Sequence, residues 1–172
     1  MIIYIQSILY YTMRFTNKIF KRNVTINKMS NYTKPNIILD LDETVIYSLS
    51  RSDLSKLGDR KKVLGTINEN YETHSMDNGY YTVCERPDLQ PFLTYLFENF
   101  NVSIWTAASK DYALFIIDNI IIDKEKTRKI DWTFFSYHCD LSKSKTKSIK
   151  NLKMLWDHYK LDGYTKENTI IL

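Results

Sequence analysis

The stretch that decides the fold is Asn36-Ile37-Ile38-Leu39-Asp40-Leu41-Asp42-Glu43-Thr44-Val45. A short, β-rich apolar run, bounded upstream by Pro35, passes directly into two carboxylates spaced two apart and then a hydroxyl. Such a run suits a strand buried on both faces of a parallel sheet, and the carboxyl ends of those strands are where such sheets bind ligands. Asp40, at the strand tip, has the chemistry to attack phosphorus in line and carry the phosphoryl group as an aspartyl-phosphate. Asp42 is placed for proton transfer. A carboxyl that protonates a leaving alkoxide and later deprotonates water needs a raised pKa, which a neighbouring carboxylate and partial burial supply. Mg²⁺ takes one or two carboxylates plus waters and substrate oxygens, so the Asp40 side chain and a backbone carbonyl are a workable start to a metal site. Taken alone, Asp-x-Asp also fits an ordinary acidic turn after a strand. An EF-hand calcium loop is excluded, because Val45 and Arg51 stand where it needs Gly and Glu.

Three further segments bear on the reading. Leu89, Phe92, Leu93, Leu96, Phe97 and Phe100 recur at helical steps after Glu85-Arg86-Pro87, with Pro near the start as helices favour. Asn101 to Trp105 reads as a second buried strand that ends in Thr106, followed by a helix opened by Ser109. By itself Thr106 fits a structural strand-end or cap threonine equally well. Over residues 147–159, Ile149, Leu152, Leu155, Trp156 and Tyr159 mark a helix carrying Lys150. Lys143, Lys145, Lys147 and Lys153 surround that lysine, and runs of this kind are usually solvated charge.

The string Asp40-Leu41-Asp42-Glu43-Thr44, with the apolar strand before it, resembles the first motif of the haloacid-dehalogenase-like phosphatases. Glu43 at its fourth place, where many branches carry Gly, is similar to the small C-terminal-domain phosphatases that act on phosphoserine and phosphothreonine. The Arg86-Pro87 helix, Thr106 and Lys150 match further parts of that pattern, so the resemblance runs over about residues 35–172. It implies an α/β fold, a Rossmann-like parallel sheet of the haloacid-dehalogenase type with a small insertion after the first strand. The implied reaction is Mg²⁺-dependent phosphoprotein hydrolysis through an aspartyl-phosphate. Asp40 is then nucleophile and metal ligand, and Asp42 is general acid/base and a ligand through its backbone carbonyl. Thr106 and Lys150 hold the phosphoryl oxygens, and Glu43 and Thr44 support the loop. The partner is a phosphorylated protein or peptide, an RNA polymerase tail among the candidates. A phosphopeptide-binding relative without turnover and a small-molecule or nucleic-acid-end phosphatase are the rival classes. Members of the family continue the last strand, here Thr169-Ile170-Ile171-Leu172, into an acidic motif that completes the metal site. The sequence stops at Leu172, so the expectation is either a fragment or a truncated relative.

Length and composition agree with one packed domain. The chain has 172 residues, 44% hydrophobic and 14% aromatic, enough for a single core at residues 31–172. The net charge of +4 is scattered, which gives no nucleic-acid footprint. Cys84 and Cys139 have no metal or redox spacing and read as buried thiols of an intracellular protein, cytoplasmic or nuclear. Residues 1–30 form an extension of uncertain status, apolar through Met13 and then basic. The apolar run is too short to span a bilayer, its basic residues follow it rather than precede it, and membrane contact by residues 1–22 is not the favoured reading. Met29 is an alternative start to Met1.

Between the first motif and Arg86, residues 50–83 are polar and longer than an ordinary loop. Residues 63–67 and 80–83 are expected to pair as a small β insertion over the site, with Tyr71, Tyr80 or Tyr81 in a substrate-facing aromatic surface. Residues 110–122 read as a helix with Ala113, Ile116, Ile117, Ile120 and Ile121 on one face, and residues 132–137 as a strand. His138, His74 and His158 read as loop histidines rather than metal ligands.

Overall fold

The computed structural model describes residues 34–172; the N-terminal extension and both candidate starts lie outside the described residues. The element order is β1 (Asn36–Leu39), β2 (Ile46–Ser50), α1 (Arg51–Leu57), α2 (Arg60–Asn70), β3 (Thr73–Met76), β4 (Tyr81–Glu85), α3 (Leu89–Asn99), β5 (Asn101–Trp105), α4 (Lys110–Ile116), β6 (Ile130–Phe134), α5 (Ser136–Thr146) and β7 (Thr169–Ile171). α4 continues into a π-helical segment, Ile117–Ile122, and a short π-helical turn, Met154–His158, precedes β7. Among the described residues, no helix is long and apolar enough to cross a membrane.

β1 is the organising strand. It runs parallel to β5 on one side and β7 on the other, in the sheet order β6-β5-β1-β7. All four of its residues are buried, and their alternation divides the core in two. Ile37 and Leu39 face a cluster that includes Leu93 and Leu96 of α3 and Ile116 and Ile120 of the α4 helix. Ile38 faces the other way, onto Trp105, Phe134, Met154, Leu155 and Tyr164. That two-sided burial is why the strand reads as an unbroken apolar run rather than an alternating one.

The insertion after β1 is a separate three-stranded antiparallel sheet, β2-β4-β3, with α1 and α2 packed on it around Leu49, Leu54, Ile67 and Cys84. Ser50 and Asp53 form a reciprocal cap at the start of α1, each side chain meeting the other's backbone N–H at 3.2 Å. The expectation of a strand at residues 63–67 is corrected: they lie inside α2, whose N-terminus is capped by Asp59. β-Branched Val63, Thr66 and Ile67 suggest a strand locally, but Val63, Leu64 and Ile67 at helical spacing cover the Leu54 cluster, and that burial decides the outcome. The other half of the expected pair is a strand, β4, and its partners are β2 and β3.

α3 begins at Leu89, two residues past Pro87, and Pro91 falls in its first turn, where a missing N–H costs nothing. The expected helix over residues 110–122 is present with all five predicted positions buried, its second half wound as a π-helix. Two predicted elements differ. The strand at residues 132–137 ends at Phe134, because His138 Nδ1 accepts the Phe135 N–H at 2.8 Å and so opens α5, placing Tyr137 in its first turn. The helix expected over residues 147–159 does not form. α5 ends with Lys147 in a left-handed conformation, Ile149 is exposed, and only Met154–His158 is helical. α5 itself escapes periodicity analysis because only Cys139 and Ser142 of its eleven residues are buried.

Arg128, 6% exposed, ties α3 to the end of the α4 helix. Its guanidinium donates to Gln90 Oε1 (2.8 Å), the Ile121 carbonyl (2.9 Å), the Gln90 carbonyl (3.2 Å) and Thr94 Oγ1 (3.0 Å). Arg128→Met should cost about 3 kcal/mol, since buried acceptors of a charged donor are left unmatched. Urea unfolding measures it, and a loss below about 0.5 kcal/mol would show that the network is not structural.

Candidate active site

The carboxyl ends of β1 and β5 sit side by side, Leu39 opposite Ile104, so the residues that follow each strand emerge at one edge. Asp40 is the first residue beyond β1. Its N–H donates to the Leu172 carbonyl (3.1 Å), which locks it to the end of β7. Oδ1 accepts the Leu41 N–H at 2.9 Å, and Oδ2 forms an ion pair with the Lys150 ammonium. The Lys150 side chain is 17% exposed, which sets it apart from Lys143, Lys145, Lys147 and Lys153, all exposed. Lys150 stands in a turn rather than on a helix, and the fold brings it to the Asp40 carboxylate. Thr106, fully buried, follows β5; Oγ1 accepts the Ala108 N–H at 3.1 Å, leaving its own O–H proton to donate.

Asp42 opens a tight loop. The Leu41 carbonyl collects the N–H groups of Thr44 (3.3 Å), Val45 (2.8 Å) and Ile46 (3.1 Å), and Glu43 takes a left-handed conformation, φ 60°. That conformation explains how a glycine can also serve at this place. Glu43 is exposed and Thr44 partly buried. Burial raises the Asp42 pKa from its ordinary value, and Asp40 and Glu43 push in the same direction; a hydrogen bond from Tyr112 and the charge of Lys150 oppose them. Tyr112 Oη donates to Asp42 Oδ1 at 2.7 Å, and burial raises the phenol well above its usual range, so it remains a donor.

Two residues of this arrangement were not legible in the sequence. Tyr112 lies in the first turn of α4, and no motif marks it. Arg86 donates from its guanidinium to the Glu43 carbonyl, clamping the loop from the far side of the insertion, whereas its sequence context signals only a helix start. Of the three tyrosines expected on a substrate-facing surface, Tyr81 lines the cleft beside Asp42 and meets Tyr112 edge-on at 5.9 Å. Tyr71 packs against the insertion's own core, and Tyr80 is exposed.

As for metals, the main-chain carbonyl of Asp42 accepts no hydrogen bond among the described residues. With the Asp40 carboxylate it offers hard oxygen donors of the kind Mg²⁺ takes. The donor set fits the ion. A second group, Glu72, His74 and Glu85, has ligand-type atoms all within 4.8 Å of one another. His74 is therefore a strand residue in a network rather than a loop histidine. Its Nε2 meets Glu85 at 2.8 Å, Gln90 donates to the same carboxylate, and the Lys124 ammonium pairs with Glu72, so the chain itself satisfies these carboxylates. His138 caps α5, and His158 is exposed. Both cysteines are buried free thiols; burial pushes Cys84 up to about 11 and raises Cys139 too, which keeps them protonated.

The profile of the NLI interacting factor-like phosphatases matches residues 35–172. The chain belongs to that family. It is 47% identical over 140 residues to the CTD phosphatase-like protein 355R of Invertebrate iridescent virus 6, an alignment covering 80% of this chain and 74% of the relative. The protein of the same name in Invertebrate iridescent virus 3 is 43% identical over 138 residues, covering 77% and 72%. Two solved structures of the RNA polymerase II CTD phosphatase Fcp1 share the fold. One is a fission yeast variant bound to beryllium fluoride, with TM-score 0.52; the other has TM-score 0.51. Both are 20% identical and cover 80% of this chain, which spans only 36% and 37% of those chains. The α/β architecture is thus that of an Fcp1-like phosphatase of the haloacid-dehalogenase type.

The raised pKa of Asp42 has a consequence for stability. Its favourable contribution is complete below the unfolded value, near the ordinary 3.8, and is lost as pH rises through the higher folded value. Asn keeps an acceptor for Tyr112 and cannot ionise. Asp42→Asn should therefore be more stable than the parent near pH ~7 in chelator-treated buffer, with the gain gone by about pH 3. Urea melts at both pH values check this; no gain at neutral pH would contradict the assigned direction.

Proposed function

We propose that the chain is a Mg²⁺-dependent protein serine/threonine phosphatase in which Asp40 carries the phosphoryl group. The observation that supports this most is the meeting of the Lys150 ammonium with the Asp40 carboxylate at the carboxyl end of β1. Lysine 150 is singled out from a run of lysines by burial and by contact, as a phosphate-binding cation would be.

In this reading the Asp40 oxygen attacks phosphorus in line, forming the aspartyl-phosphate as the serine or threonine oxygen departs. Asp42, whose pKa burial raises, gives that oxygen its proton. It then takes a proton from the water that attacks the aspartyl-phosphate, which returns Asp40 and releases phosphate. Lys150 passes from Asp40 to the phosphoryl oxygens, and the Thr106 O–H donates to another. Tyr112 and Arg86 hold Asp42 and its loop in place. The Asp40 carboxylate and the Asp42 carbonyl would hold Mg²⁺, which would supply charge neutralisation to the phosphoryl oxygens. Residues 31–172 make up the phosphatase domain, working inside the cell on a phosphorylated protein. The names of the viral relatives and the activity of Fcp1 support a polymerase tail as one such substrate.

Asp40→Asn should lower phosphopeptide turnover at least about a thousandfold, with an unchanged far-ultraviolet spectrum. Wild-type turnover by the variant would refute the assignment. Parallel assays with sugar phosphates and 3′-phosphate nucleic-acid ends separate the substrate classes on this scaffold. Mg²⁺-independent retention of phosphopeptide without hydrolysis would favour a binding role.

A further inference from the structure

An open cleft of about 780 Å³ adjoins Asp42 on the side of the insertion. Its charge is wrong for a site that takes a phosphate alone. Four carboxylates line it, those of Asp42, Asp53, Asp77 and Asp111, and among the described residues no lysine or arginine does. Asp53 is already engaged, with Ser50 in the α1 cap and with Lys56 at 3.1 Å. Asp77 and Asp111 are exposed, and among the described residues neither has an ion-pair partner. Arg51 comes near the same hairpin tip, but its guanidinium is occupied by the carbonyls of Asn78 (2.8 Å) and Gly79 (3.0 Å). The rings of Tyr81 and Tyr112 also line the cleft.

A phosphorylated residue brings up to two negative charges to the edge of this wall, and at such range in a half-exposed site the carboxylates repel it. A cation on the same peptide reverses the balance. Aromatic side chains lining the same cleft as the carboxylates suit the long apolar stem and charged head of arginine or lysine. We propose that this cleft selects phosphopeptides with Arg or Lys beside the phosphoserine or phosphothreonine, Asp77 and Asp111 meeting the cation and Tyr81 and Tyr112 its stem. The proposal rests on the phosphopeptide reading above and deepens it from phosphorylated protein to basic-flanked phosphorylated protein.

The test uses the full chain and three phosphopeptides that differ only in the flanking residue, Arg, Ala or Glu. Binding is read by fluorescence anisotropy and hydrolysis by phosphate release with Mg²⁺, at about 0.05 M and about 0.5 M NaCl. The Arg peptide should bind about tenfold more tightly than the Glu peptide at low salt, the ratio falling toward unity at high salt. Asp77→Asn with Asp111→Asn should reduce that low-salt ratio roughly three- to fivefold. The left-handed backbone at Asp77, φ 53°, is one that Asn adopts readily, so the double variant keeps the hairpin. Equal binding of the three peptides, binding of none, or a ratio indifferent to the double variant overturns the proposal. An Arg preference in binding with no phosphate released from any peptide would instead support the cleft while defeating the phosphatase reading.

Discussion

A strand with no free face carries a charged residue at its tip, and most of the structure answers to that constraint. β1 is hydrogen-bonded on both edges and covered on both faces, so its backbone cannot shift without disturbing two core clusters at once. Asp40 is therefore presented from a backbone held on both edges and both faces, as a group that has to be placed accurately requires. The N–H of Asp40 is taken by the end of β7, and one carboxylate oxygen by the next backbone N–H. The remaining oxygen is the one that Lys150 meets.

Around this fixed point, the supporting contacts come from three separate parts of the chain. Arg86 reaches from the end of the insertion to the Glu43 carbonyl, and Tyr112 from α4 to Asp42. Lys150 arrives from the turn after α5. None of these contacts is local, so the site exists only when the insertion, α4 and the α5 turn are all in place. The insertion has a second role, since its hairpin and α1 cap build the wall of the acidic cleft. The insertion thus supports the Asp42 loop through Arg86 and lines one side of the cleft with its hairpin.

Where reading the residues succeeded and where it failed follows from what each signal depends on. β1 and β5 carry short, mostly apolar runs and the helix over residues 110–122 an apolar face at helical spacing, and these form as expected. The stretch at residues 63–67 has β-branched residues yet becomes helical, because packing against Leu54 outweighs local preference. α5 is polar on most of its surface and opens on a histidine cap to its own backbone, which no periodicity reveals. Of the apolar residues of the expected lysine helix, Leu155 is buried, Leu152, Trp156 and Tyr159 are partly buried and Ile149 is exposed, and turns with a short π-helical segment carry them rather than one helix.

The sequence by itself determined the family, the doubly covered β1 strand and the pair of carboxylates that follow it, because these lie in one contiguous string whose pattern needs no partner to be read. The tertiary structure decided that Lys150, which the family pattern picks from its neighbours, pairs with Asp40, that Arg86 and Tyr112 hold the Asp42 loop, and that the flanking cleft is acidic. Those outcomes depend on contacts between residues far apart in the chain. A side chain's spacing along one element says nothing about what another element brings opposite it.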